Sequence, residues 1–156
     1  MKIRGNQLWK VPVFCILAGI VSYYLTIYLG GRFFTVIGPD GVVSAGPIRV
    51  LVWYGILFLA ALLVGWFFLR GLTRRELLCS ASLAVALQLL VLLIQDLFPR
   101  LILPFGLYLV VIFDWSAFLS QLWFALAGTD APWVGTLLSL LAPYLFVLFG
   151  RARPAA

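Results

Sequence analysis

Four long apolar stretches without a charged side chain divide the chain. They cover residues 11–29, 50–69, 77–95 and 133–149. About 20 apolar residues in a helix are needed to cross a hydrocarbon core of roughly 30 Å. The pattern therefore predicts four transmembrane helices in a single transmembrane domain that occupies residues 1–156.

Two of these helices carry recognisable local signals. Thr73 and Glu76 have the spacing of a capping box, and Leu72 and Leu77 stand where a hydrophobic staple places its two apolar side chains. These residues predict a helix start just before residue 77. Pro143 lies inside the last apolar stretch, where its ring interrupts the helical hydrogen bonds and is expected to kink the helix.

A fifth apolar segment, residues 101–129, has an ambiguous path. It has 29 residues and one charge, Asp114. A straight helix of this length would extend about 43 Å, which is too long for one upright crossing. The segment either crosses once in a tilted orientation, which makes five transmembrane helices, or it is broken and re-enters on the side from which it came.

Counting lysine and arginine favours the re-entrant alternative, although it leaves the five-helix alternative open. With one crossing, the cytoplasmic side would hold six basic residues and the outer side five; with a re-entrant segment the division is eight against three. Membrane proteins retain more lysine and arginine on the cytoplasmic side, and this rule places the N-terminus there.

The loop at residues 30–49 has a hairpin pattern. Gly38, Pro39, Asp40 and Gly41 separate two short runs of β-branched and apolar residues. Proline presets φ, aspartate tolerates the turn and glycine accepts positive φ. We therefore expect a short extracytoplasmic β-hairpin.

Composition agrees with this fold class, an all-α integral membrane protein. The chain is 65% hydrophobic and 10% charged, whereas soluble domains average about 25% charged residues. The expected location is a bacterial cytoplasmic membrane. Cys15 and Cys79 fall near the cytoplasmic ends of their helices, where free thiols are expected.

The net charge of +6 does not indicate nucleic acid as a partner, because the basic residues cluster between the apolar stretches. There they are expected to set topology and to contact lipid headgroups. The residues assigned this role are Lys10, Arg32, Arg49, Arg70, Arg74, Arg75, Arg151 and Arg153.

Asp114 is the strongest candidate for a functional residue, because both topologies place it near the middle of the membrane. An aspartate there costs about 2.5–3.5 kcal/mol on insertion scales, so it is expected to face protein or water. It either caps a half-helix that begins at Trp115 or serves as a protonatable or cation-binding group.

Three glutamines and Asp114 form a pattern of polar positions that we call the polar stripe. Gln88 and Gln95 are seven residues apart, as are Asp114 and Gln121, and a spacing of seven returns to nearly the same helix face. These side chains are expected either to hydrogen-bond with one another between helices or to line a narrow polar path.

The residues give little support for an enzyme. The chain has no histidine, no Walker A loop and no lysine after Lys10, and it suggests no catalytic residue, metal site or cofactor. We expect a non-catalytic subunit or accessory component of a larger membrane assembly, whose partners are the bilayer and other membrane subunits or a second copy. The alternative is a transporter of a small solute or ion that uses Asp114 and the glutamines, and a lower alternative is recognition of a lipid or lipid-linked ligand.

Overall fold

The structure is a computed structural model that describes residues 5–39, 41, 43–97, 111–128 and 131–151. Most of these residues are helical. The elements, in chain order, are α1 (Gly5–Leu8), α2 (Lys10–Leu25), a π-helical turn (Thr26–Gly30), α3 (Gly31–Phe34), β1 (Thr35–Ile37), β2 (Val43–Ala45), α4 (Pro47–Leu69), α5 (Arg74–Leu97), a 3₁₀ turn (Asp114–Ser116), α6 (Ala117–Ala127), α7 (Pro132–Leu141) and a 3₁₀ helix (Ala142–Phe149).

Four helices in the described part of the chain are long and apolar enough to cross a membrane, as the sequence predicts. They are Lys10–Phe34, Pro47–Leu69, Arg74–Ile94 and Pro132–Phe149, with mean hydropathy values from 1.7 to 2.6. Each begins one to three residues before the predicted apolar stretch.

The N-terminal region, the loop between α4 and α5 and the end of the 3₁₀ helix meet at one end of the bundle, which we call the terminal end. The Ser80 hydroxyl donates to the Leu8 carbonyl at 2.6 Å and accepts from the Val11 N–H at 3.1 Å. The Arg74 side chain donates to the Gly150 carbonyl at 3.2 Å, and the Arg151 N–H donates to the Leu72 carbonyl at 3.2 Å.

The capping box at the start of α5 is confirmed. The Thr73 N–H donates to Glu76 Oε2 at 3.0 Å, and the Glu76 N–H donates to Thr73 Oγ1 at 3.4 Å. Leu72 and Leu77 are both buried in the main core. Two N–H groups at the helix start are thereby satisfied, which fixes the direction in which α5 leaves the terminal end.

The β-hairpin is also confirmed, and it marks the opposite end of the bundle, which we call the hairpin end. The antiparallel register pairs Thr35 with Ala45 and Ile37 with Val43. The Gly41 N–H donates to the Gly38 carbonyl at 3.0 Å, and Gly41 has φ of 71°. The predicted loop at 30–49 is too long, however, because α3 continues to Phe34 and α4 begins at Pro47.

The ambiguous segment contains a half-length helix that starts in the middle of the bundle. Trp115 stacks on Phe58, the middle residue of α4, with ring centroids 5.9 Å apart. Phe118 lies beside Gly55, closer to the hairpin end. At 1.5 Å per residue the 11 residues of α6 extend about 16 Å, so α6 runs antiparallel to α4 from the centre to the hairpin end.

Helix α7 and the 3₁₀ helix that follows it return the chain to the terminal end. Gly135 of α7 packs on Ser120 of α6, with 3.2 Å between the position of a Cβ on Gly135 and Ser120 Cα. The α-helix ends at Leu141, and the 3₁₀ helix begins beside Pro143. This change of helix type occurs at the proline that was predicted to disturb the helix.

The described residues place the ends of the broken segment relative to the bundle. Helices α2 and α5 both start at the terminal end and run in the same direction, so Leu97 lies toward the hairpin end, as does Ala127. Asp114 lies at the centre of the bundle between these two helix ends, and Arg151 lies at the terminal end.

The core that holds these elements together is aromatic. Phe146 lies 5.5 Å from Trp115 and 5.4 Å from Phe14, measured between ring centroids, and all three side chains are buried. Gly65 of α4 contacts the Phe146 ring directly. Because this cluster joins α2, the 3₁₀ turn and the 3₁₀ helix, it fixes the depth at which the broken segment sits.

Gly19 allows α2 to approach that broken segment closely. A Cβ on Gly19 would lie 2.6 Å from the Ile112 carbonyl oxygen and 2.7 Å from its carbon. Backbone atoms yield less easily than a flexible side chain, so a larger residue would push the segment away from α2.

We expect Gly19→Ala to lower the free energy of unfolding by about 1–3 kcal/mol, the usual cost of overpacking. Thermal unfolding in mild detergent measures the effect. Gly31→Ala is the matched control, since a Cβ on Gly31 meets nothing within 4 Å. Equal melting temperatures for the two variants would contradict the close contact.

Candidate functional site

Asp114 lies in the short non-α-helical stretch between Val111 and the start of α6. It is the first residue of the 3₁₀ turn, the N-cap of that turn is Phe113, and no side-chain capping hydrogen bond forms. The N-cap of α6 is Ser116, also without a side-chain cap. The predicted capping role of Asp114 is therefore not formed, and the carboxylate is left for other contacts.

Asp114 is half-buried among α2, α4 and the helix pair α6 and α7. The Ser22 hydroxyl of α2 lies near enough to act on it as a hydrogen-bonding neighbour, and Tyr54 of α4 lies close enough to interact with its charge. The Ser22 side chain is 4% exposed, yet neither Ser22 Oγ nor Asp114 Oδ2 has a hydrogen-bond partner. A buried polar atom without a partner loses the hydrogen bonds of water and gains nothing in exchange.

Asp114 opens into a cavity of about 220 Å³, which we call the central cavity. Helices α5, α6 and α7 form its walls. Its lining consists of Leu92, Phe113, Asp114, Ala117, Ser120, Thr136, Ser139 and Leu140. The cavity therefore combines one carboxylate and three hydroxyl groups with apolar walls.

The hydrogen bonds that two of the hydroxyl groups make determine that these groups can act only as acceptors in the cavity. Ser120 Oγ donates to the Ala117 carbonyl at 2.8 Å, and Ser139 Oγ donates to the Ser116 carbonyl at 3.0 Å. Each hydroxyl has one proton and two lone pairs, so both oxygens retain only acceptor capacity. Together with the Asp114 carboxylate they form a set of acceptors, which suits a cation that carries N–H donors.

A second cavity of about 170 Å³, which we call the glutamine cavity, lies between α2 and α5. Gln88 is 3% exposed and lines it, and neither Gln88 Oε1 nor Nε2 has a partner. Phe113 lines this cavity and the central one. Gln88 is thus near the Asp114 region without being hydrogen-bonded to it.

The predicted polar stripe is only partly assembled. Gln88 lies in the neighbouring cavity, and its unpartnered amide rules out the expected hydrogen bond to Asp114 or Gln121. Gln121 is half-buried on α6 and lines neither cavity. The side chain of Gln95 lies outside the described residues. A spacing of seven predicts a shared face, but α6 starts three residues after Asp114, so the two residues do not share one continuous α-helix.

The basic residues that the structure describes lie at the two ends of the bundle. Arg32 and Arg49 lie beside the hairpin, where the Arg49 side chain donates to the Thr35 carbonyl at 3.3 Å. At the terminal end, Arg70 stands over the Trp66 ring at 5.9 Å and Arg74 binds the Gly150 carbonyl. Lys10, Arg75 and Arg151 are at the same end, and Arg153 lies outside the described residues.

Sequence reasoning missed the hydroxyl groups around Asp114. Ser22, Ser120 and Ser139 are single small residues within apolar stretches, where serine is common. The available signal was helical spacing: Gly19 and Ser22 are three residues apart on α2, so they share one face. That face is the one that meets the broken segment.

Other potential ligand groups are sparse. No group of three or more cysteine, aspartate or glutamate side chains that could hold a metal ion occurs within the described residues. Cys15 is buried and Cys79 half-buried, and both are free thiols as expected. Comparison of the chain with protein-family models, curated proteins and solved structures finds no match.

We expect Asp114→Asn to leave the free energy of unfolding unchanged or to raise it, because the carboxylate caps no helix. Thr73→Ala is the comparison, since loss of the capping box should cost about 1 kcal/mol. Thermal or denaturant unfolding in detergent measures both. If Asp114→Asn destabilised the protein as much as Thr73→Ala, the carboxylate would have a structural partner.

Proposed function

We propose that the chain is an integral membrane protein with four transmembrane helices, a re-entrant segment and both termini in the cytoplasm. The apolar surface supports this. On α4, Leu59, Leu63 and Phe67 follow a spacing of four and are 60–64% exposed, which in water would leave a continuous apolar face unburied. Leu8 and Arg151 lie at the same end, and an arrangement with both termini on that side would leave eight of the 11 basic residues on the proposed cytoplasmic side.

We propose further that this membrane protein binds and carries a small organic cation at Asp114. The observation that carries the proposal is the central cavity: Asp114 lines it beside two hydroxyl groups that have already donated their protons. A charge at this depth is costly unless it serves a purpose, and intramembrane acidic residues commonly mark the route of a cation.

The cavity walls favour an organic cation over a metal ion. A hard metal cation prefers about six oxygen ligands, whereas the central cavity offers one carboxylate and three hydroxyls among Leu92, Phe113 and Leu140. An ammonium or guanidinium group needs only a few acceptors for its N–H groups and tolerates apolar and aromatic contacts.

The second candidate is a non-catalytic subunit of a larger membrane assembly. The hairpin favours it, because β1 and β2 form a two-stranded sheet whose Ile37 and Val43 are 71% and 66% exposed. An exposed strand edge is available to pair with a strand of a partner.

Purification from native membranes in mild detergent tests this second function, and recovery of the isolated chain would contradict it. Recognition of a lipid or lipid-linked ligand stays a prediction.

Guanidinium is a suitable probe of the proposed cation site, because it is permanently charged, small and rich in N–H donors. We expect calorimetry on the detergent-solubilised chain to detect guanidinium binding, and Asp114→Asn to weaken it by about tenfold or more, since a charged hydrogen bond contributes about 1.5–3 kcal/mol. Tetramethylammonium has the same charge and no N–H group, so it should bind more weakly. Equal affinity of the native chain and Asp114→Asn for guanidinium would remove the proposed site.

The topology has its own test. Reporters fused before Met1 and after Ala156 should both signal the cytoplasm, and a reporter inserted at Gly41 in the hairpin turn should signal the outer face. A C-terminal reporter that signalled the outer face would contradict the re-entrant arrangement without affecting the cation site.

A further inference from the structure

An apolar groove runs between α2 and α4 on the outside of the bundle. It has a volume of about 320 Å³. Ala18 of α2 and Ala60 of α4 line its middle, where larger side chains would fill the space between the two helices. Leu17, Val21 and Val64 also line the groove and are 55–58% exposed, so it is open to the surroundings of the bundle.

This groove has the length of one leaflet of a bilayer. On α2 it extends from Phe14 to Leu25, and on α4 from Phe68 back to Leu57. Each of these helix segments rises about 16 Å at 1.5 Å per residue, and half of a hydrocarbon core of roughly 30 Å is about 15 Å. The Phe14 and Phe68 rings stack with centroids 5.8 Å apart, and they mark the end of the groove that lies toward the terminal end.

The size of the groove favours a single acyl chain over a transmembrane helix of a partner. A helix segment about 16 Å long and at least 10 Å wide occupies roughly 1,200 Å³, which is several times the volume of the groove. An apolar cavity of about 150 Å³ is large enough to take up benzene. The groove therefore has room for a chain of methylene groups and not for a helix.

A basic side chain lies at the terminal end of the groove. Lys10 precedes Phe14 by four residues and Leu17 by seven, so it is on the face of α2 that lines the groove. Its depth is fixed because the neighbouring Val11 N–H donates to the Ser80 hydroxyl at 3.1 Å. Lysine side chains near the end of a transmembrane helix extend their ammonium group to the level of the lipid headgroups.

Charge, and not apolar contact, has to provide any preference for one lipid. Inside a bilayer the acyl chains of all lipids are as apolar as the groove, so their burial there does not distinguish among lipids. Glu76 is the one acidic side chain among the described residues of the terminal end. The basic residues that the structure describes at this end are Lys10, Arg70, Arg74, Arg75 and Arg151. Basic clusters of this kind at a membrane surface attract anionic headgroups.

We propose that the groove between α2 and α4 binds an acyl chain of an anionic phospholipid, whose phosphate pairs with the Lys10 ammonium group. This inference rests on the proposed membrane arrangement and is independent of the cation site at Asp114. Arg70 does not serve the groove, because it stands over Trp66, which lies on the opposite face of α4 from Phe68.

Native mass spectrometry of the detergent-purified chain tests the site with dioleoyl-phosphatidylglycerol and dioleoyl-phosphatidylcholine, which share their acyl chains and differ in net charge. We expect the anionic lipid to bind the native chain about fivefold more tightly. Lys10→Gln should remove this preference and Lys10→Arg, which keeps the charge, should retain it. Arg70→Gln is the matched control, since it removes the same charge at the same end and should also retain the preference.

A second pair of variants tests the groove itself. Ala60→Leu fills the groove and should weaken the binding of both lipids several-fold. Ala125→Leu makes the same change at an exposed alanine of α6 and should leave the binding of both lipids unchanged. Glycerol phosphate, which has the headgroup and no acyl chain, should not displace the anionic lipid at an equal concentration.

Equal loss of the preference in Lys10→Gln and Arg70→Gln would overturn the pairing with Lys10, because it would indicate a general attraction to the basic end. Unchanged lipid binding in Ala60→Leu, or displacement of the lipid by glycerol phosphate, would overturn the groove as the site of the acyl chain. Equal affinity of the native chain for the two lipids would overturn the site and leave the membrane arrangement standing. Binding of neither lipid would contradict both.

Discussion

The close approach of α2 to a broken chain segment is the constraint on which the rest of the arrangement depends. Because Gly19 has no side chain, α2 lies directly against the carbonyl groups of residues 111–112. Ser22 is three residues further along the same helix face and therefore meets Asp114. A helix end in the middle of an apolar bundle exposes polar backbone groups, which are tolerated only where protein or a cavity surrounds them.

The aromatic cluster below this contact explains why the broken segment stays at that depth. Trp115 follows Asp114 directly and is enclosed by Phe58 and Phe146, with stacked or nearly stacked rings. Moving Asp114 toward either end would require Trp115 to leave this packing, at a cost comparable to exposing a large buried side chain. The apolar core thus holds a costly charge in place without forming any bond to it.

Much of the fold could be predicted because long apolar stretches, a capping box and a Pro-Asp-Gly turn act locally. Thr73 with Glu76 fixes the start of α5, and Gly41 adopts the positive φ that the hairpin turn requires. The position of Asp114 could be predicted for a similar reason, since any path of its segment brings it to the centre. Its neighbours could not, because contacts of Ser22, Ser139 and Phe113 depend on how separate helices pack. The spacing argument for the polar stripe does not extend from Asp114 to Gln121, because the break after Asp114 ends the helical repeat on which it relied.

The direction of the hydroxyl hydrogen bonds matters as much as the presence of the carboxylate. Had Ser120 and Ser139 donated to Asp114, the carboxylate would be satisfied and the site would be structural. They donate instead to the Ala117 and Ser116 carbonyls, which strengthens the start of α6 and its packing on α7 and leaves Asp114 without these two donors. The two hydrogen bonds that stabilise the broken segment are thus also the reason why Ser120 and Ser139 do not donate to Asp114. The central cavity is therefore lined by Asp114 and by two hydroxyl groups, those of Ser120 and Ser139, whose remaining capacity is to accept hydrogen bonds.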